Sequence, residues 1–108
     1  MRPADNLQGT LELLILKSLA HQSNHGFGIT LHVQTVSDGL LHVEEGSLYP
    51  ALHRMEKHKL IRGEWRKTEN GRKARFYSLT SAGHTRLAQA EDNWMSLAKG
   101  VQRLLRFA

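Results

Sequence analysis

The stretch that most limits what this chain can become runs from Glu44 to Leu60, EEGSLYPALHRMEKHKL. At a period of 3.6, Leu48, Ala51, Leu52 and Met55 share one face. His53 and Lys57 lie opposite, with Tyr49 and Arg54 on the flanks. A short helix of this kind is held to a small core along one side and offers donors along the other. Pro50 limits where it begins, because proline is harmless only in the first turn, where its missing N–H has no intrahelical partner. The helix is therefore expected near 46–58, starting at Gly46 or Ser47, with Ser47 or Glu44 at the cap.

Upstream, residues 1–6 read as a short leader, and a helix is expected from Leu7 to about Ala20 with Asn6 or Thr10 at its cap. Its apolar positions 7, 11, 13, 14, 15, 16 and 19 cover more than one face. A helix apolar over that width must be buried on two sides, which points to a partner subunit. His21–Gly26 is turn chemistry. A second helix is expected from Gly26 to Val36, with Phe27, Ile29, Val33 and Val36 turned inward and Ser37–Gly39 stopping it. Leu40–Val43 can then make a brief extended segment. Helix, tight connection, helix is the spacing of a helix-turn-helix whose second member enters the DNA major groove.

Beyond Leu60 the period falls to 2. Ile61, Gly63 and Trp65 alternate with Arg62, Glu64 and Arg66, and Tyr77 and Leu79 alternate with Phe76 and Ser78. Between the two runs lies Asn70-Gly71, a strong hairpin signal, since both residues tolerate positive φ. The expectation is a two-stranded wing at about 66–75 with Arg72 and Lys73 projecting from its tip, and with Trp65 and Tyr77 packed beneath it. Thr80-Ser81 caps a last helix. From Leu87, the residues Ala90, Trp94, Leu97, Val101 and Leu104 follow at spacings of 3, 4, 3, 4 and 3. A helix of about 25 residues spans ~37 Å, longer than so small a body can cover, so this seam is expected to form a homodimer interface. Gly100 costs about 1 kcal/mol of helix propensity and can mark a bend. The architecture is mostly α with a small β hairpin: a winged helix-turn-helix over 1–80 and a C-terminal dimerisation helix over 81–108.

Charge supports a nucleic-acid partner. Residues 53–75 carry nine Lys/Arg against three acids, net +6, while the rest of the chain is net −1. That concentration is the electrostatic footprint of a polyanion binder, although a solvated basic face looks the same by composition. The Leu-rich segment at 11–20 is broken by Glu12 and Lys17 and is followed by no signal-cleavage site. Nor does any run reach the ~20 apolar residues of a membrane span. With no cysteine, the expectation is a cytoplasmic protein. No metalloprotease, phosphate-loop or nucleophile-triad pattern can be assembled, which argues against an enzyme. His21 and His25 straddle a turn with no third ligand at a metal-site spacing, so neither a metal nor a cofactor is expected.

Four segments together resemble the PadR family of bacterial transcriptional regulators: GTLELLIL (9–16), HGFGI (25–29), GSLYPALHRME (46–56) and RKARFYSLTSAG (72–83). The chain ends about 25 residues after the last of these, like the family's short subtype. The resemblance implies a homodimeric winged-helix protein, usually a repressor, on a two-fold symmetric DNA operator. Its central helix would enter the major groove with Ser47 and Tyr49 near DNA, and its wing, through Arg72 and neighbours, would meet the backbone or minor groove. Phe27 stands where the family often has Tyr, which removes a hydroxyl that a phosphate contact would use. Some members bind small aromatic effectors near the dimer helices.

The candidate DNA contacts are Ser47, Tyr49 and His53 for base edges or helix orientation, and Arg54, Lys57, Arg72 and Lys73 for phosphates. Each has a plainer alternative: Tyr49 packing on the scaffold, His53 solvated, Arg54 paired with Glu45 or Glu56. Arg66 and Lys67 suit solvated strand positions. Trp94 sits where a heptad favours a compact aliphatic, so its indole is either an interface anchor or a stacking surface for a small aromatic effector. A winged helix that meets an acidic protein instead of DNA is the competing function.

Overall fold

The computed structural model describes the backbone of residues 3–107 and the side chains of residues 9–107. Helix α1 (Pro3–His21) is followed by β1 (Asn24–His25), α2 (Gly26–Val36), α3 (Glu45–Lys57), β2 (Ile61–Lys67), β3 (Lys73–Leu79) and α4 (Ser81–Arg106). The core gathers one side of each: Ile15, Leu16, Ile29, Leu48, Leu52, Met55 and Ile61 are fully buried, with Leu19, Val33, Val43, Leu60, Tyr77 and Leu87 around them.

Helix α1 starts at Pro3 rather than Leu7, so residues 3–6 are helical and Asn6 and Thr10 fall inside the helix, not at its cap. Residues 1 and 2, and the side chains of Asn6 and Leu7, lie outside the described residues. Among the described residues, ion pairs tie α1 to α4 at Glu12–Arg86 (2.8 Å) and Lys17–Glu91 (2.9 Å).

Helix α2 has the expected bounds but turns only part of the expected face inward. Ile29 and Val33 are buried with Gly26, whereas Phe27 and Val36 are exposed, because the narrow stripe at 26, 29 and 33 is all that meets the core. His25 caps the helix: its Nδ1 accepts the Gly28 N–H at 3.0 Å. The same residue belongs to β1, which pairs antiparallel with β3 (Asn24 opposite Tyr77, His25 opposite Phe76) and makes the sheet three-stranded in the order β1-β3-β2. A two-residue strand carries no periodicity, so 21–26 reads as a turn. Residues 40–44 join no strand, and of them Val43 alone is buried.

Helix α4 is capped by Thr80, whose hydroxyl accepts the Gly83 N–H at 3.1 Å and donates to the carbonyls of Lys59 and Leu60. Gly83 lies so close to that Leu60 carbonyl that a Cβ there would be 2.1 Å from the oxygen. The helix then runs through Gly100 without interruption, giving a molecule 56 Å long and only 28 by 23 Å across.

Candidate nucleic-acid interface

Helix α3 buries Leu48, Ala51, Leu52 and Met55, the face that the periodicity requires, and exposes Ser47, Tyr49, Pro50, His53, Arg54 and Lys57. It starts one residue early, at Glu45, with Glu44 in the cap position but making no side-chain cap bond; Ser47 is inside the helix. Pro50 is consequently the sixth helical residue, beyond the first turn. The carbonyl of Gly46, four residues back, loses its intrahelical donor, and this happens on the exposed side, where water or another donor can replace it.

The end of α3 is tightly fixed. Lys59 N–H donates to Glu56 and Leu60 N–H to Met55, a left-handed cap built on Lys59 at φ +62°. The turn delivers Ile61 into the core and starts the wing directly. At the wing tip, Gly71 N–H donates to Thr68 (2.9 Å) and Thr68 N–H to Arg72 (2.7 Å). Gly71 has φ +80° whereas Asn70 does not take positive φ, so the tip is a three-residue loop with a left-handed glycine instead of a two-residue turn. Arg72 and Lys73 are exposed beside it.

Helix α3 and the wing are joined by Glu56 and Arg75, 2.5 Å apart and each about one-third exposed. The Glu56 carboxylate raises the Arg75 pKa further above its ordinary value, so the guanidinium stays charged. Because Glu56 is engaged there, Arg54 has no ion pair among the described residues and projects from α3. Beneath this link lies Tyr77, whose phenol is pushed above its usual range, first by burial and then by the Glu56 charge. Tyr49, half exposed, lies across the first turn of α2: a Cβ on Gly26 would sit 2.9 Å from its hydroxyl. Its ring thus packs on the scaffold while one edge faces out. Trp65 departs from expectation. It lies beyond the end of the core and is 65% exposed, with the Arg75 guanidinium 5.7 Å from the ring centre.

A second region lies between α1 and α4. A groove of about 990 Å³ is lined by Gly9, Leu13, Ala90, Trp94, Leu97, Val101 and Leu104, among others. Of the α4 seam, Leu87 is buried in its own protomer's core, Ala90 and Leu97 are half-buried, and Trp94, Val101 and Leu104 are exposed. Among the described residues no helix is long and apolar enough to cross a membrane, and no cluster of three or more His, Asp or Glu is placed to hold a metal.

The family model described as "Transcriptional regulator PadR-like family" matches residues 15–89, which takes in α2, α3 and the whole wing. The chain belongs to the PadR-like family. A transcriptional regulator of Mycobacterium tuberculosis is 34% identical over 94 residues, covering 87% of this chain and 84% of that protein. Among solved structures, a PadR-like transcriptional regulator from Bacillus cereus superposes with a TM-score of 0.78 at 30% identity, covering 94% of this chain and 97% of that one. A PadR family transcription regulator from Clostridium difficile gives 0.72 at 26% identity, with 88% and 97% covered. Winged helix and long terminal helix are therefore the family's architecture, and its members are regulators of transcription rather than enzymes.

Proposed function

We propose that this PadR-like protein binds a two-fold symmetric DNA operator as a homodimer and acts there as a repressor. The observation that carries the reading is α3: one face is wholly inside the core, while Ser47, Tyr49, His53, Arg54 and Lys57 are exposed. That arrangement suits a helix lying in the major groove, with Arg72 and Lys73 on the wing reaching the backbone or minor groove. Arg54, Lys57, Arg72 and Lys73 supply phosphate contacts and hence salt-dependent affinity; Ser47, His53 and the outer edge of Tyr49 are placed for base edges or for orienting the helix.

Dimerisation is supported by the bare second half of α4. Val101 is 46% exposed and Leu104 72% exposed in the protomer, and the α1–α4 groove beside them would accept a second copy's helix. Ala90, Trp94 and Leu97 extend that surface, whereas Leu87 is already occupied inside. Trp94, 45% exposed on the groove wall, also offers a flat surface to a small aromatic effector. Quenching of its fluorescence by such compounds, measured in a Trp65→Phe protein, tests that part.

Selection of bound duplexes from a random pool tests the main reading. The expected product is an inverted repeat with half-sites about 10 bp apart, centre to centre. Affinity should fall roughly 10³- to 10⁵-fold between 50 and 200 mM salt if the dimer makes about 6–10 phosphate contacts. Enrichment of no symmetric sequence would refute it, and a protein that also ignores nonspecific duplex in dilute buffer would favour an acidic protein partner.

A further inference from the structure

We infer that the indole of Trp65 is itself a DNA contact, closing on the sugar–phosphate backbone from the inner face of the wing. The inference rests on the DNA-binding reading above and extends it to a residue that strand alternation alone assigns to packing. The β2–β3 register places Trp65 opposite Arg75 and Lys67 opposite Lys73. All four share the sheet face that carries Ile61 and Tyr77 into the core, and Arg75 reaches from it to Glu56 on α3. It is therefore the face turned toward the recognition helix.

Three features of this face suit a duplex backbone. First, the ring is 65% exposed although it sits on the core side of its strand. Second, Lys67 and Lys73 are paired directly across the ladder, where like charges repel unless an anion lies between them. Third, Arg75 reaches the indole across Gly63, where a Cβ would be 2.6 Å from its Nε. An apolar plate bordered by two opposed lysines and one anchored arginine is a poor seat for an aliphatic partner. It matches a surface in which deoxyribose faces alternate with phosphates.

The test uses the full-length protein and a duplex carrying the selected inverted repeat. Tryptophan emission and its quenching by acrylamide are followed as duplex is added to the wild type and to Trp65→Phe. The expected result is protection from acrylamide in the wild type that is largely absent in Trp65→Phe. Trp65→Ala should weaken binding roughly five- to tenfold, as loss of part of one apolar contact implies, with an unchanged salt slope. Lys73→Ala, which removes one phosphate contact from each protomer, should instead lower that slope by about 2. A role confined to steadying Arg75 would leave the wild-type indole equally accessible with and without duplex. That result overturns the inference while duplex binding itself remains intact, and a wild type that binds no duplex overturns the underlying reading as well. Should Trp65→Ala fold poorly, the comparison of wild type with Trp65→Phe still decides.

Discussion

In α3 the apolar face, Leu48, Ala51, Leu52 and Met55, is covered by its own protomer, and what remains outside is polar and cationic. In α4 the apolar stripe starts the same way, with Leu87 buried, but it continues through Trp94, Val101 and Leu104 into solvent. Covered apolar surface fixes a helix and frees its other face for a ligand. Uncovered apolar surface is an unfinished interface, because isolated exposed leucines are ordinary but a periodic line of them on a projecting helix is not. On the proposed function, the contrast fits α3 to an external polar partner and α4 to a second copy of the chain.

The same substitution in the two helices should separate these roles. Leu52→Ala removes a side chain that is 1% exposed and should cost about 2–5 kcal/mol of unfolding free energy in denaturant titration. Leu104→Ala, at a position 72% exposed, should leave the dilute protomer nearly as stable but weaken the dimer about 10- to 100-fold by sedimentation equilibrium, since two symmetric leucine contacts are lost. Equal destabilisation by both would break the comparison.

Smaller effects sharpen the α3 side. Lys59→Gly should stabilise by roughly 0.5–1 kcal/mol, since relief of a left-handed lysine outweighs the added freedom of the unfolded chain. A thermal melt showing a loss instead would mean that the lysine side chain contributes at that turn. Smallest is the alkaline limb. Tyr77 is held above its ordinary pKa of 10.0 by burial, so the fold favours the neutral phenol. Its contribution is complete below pH 10 and declines as pH rises through that value toward the higher folded pKa. Stability compared between wild type and Tyr77→Phe should therefore shift toward the variant above pH 10; an invariant difference would place the phenol in water.

The residues of α3 and the wing were legible because their signals are local. Periodicity identifies Leu48, Ala51, Leu52 and Met55 as one face whatever they pack on, and two alternating runs around Asn70-Gly71 specify a hairpin. Where the core ends is not local. Phe27, Val36 and Trp65 all lie on positions compatible with burial, yet the small body stops short of them. Pro50 gave a sound rule with the wrong offset, since the helix tolerates it on its exposed side one turn later than the first-turn preference requires.

The amino-acid order alone determined the four helices, the two long strands of the wing, and that the cationic excess falls on one contiguous fifth of the chain, because these depend on neighbours two to four residues apart. Tertiary structure decided the rest. It made His25 both a helix cap and a strand residue, tied Glu56 to Arg75 across nineteen positions, buried Leu87 while leaving Leu104 bare, and left Trp65 exposed on the core side of its strand. Those outcomes depend on where a finite core runs out of surface to cover, and that boundary exists only once the elements have packed.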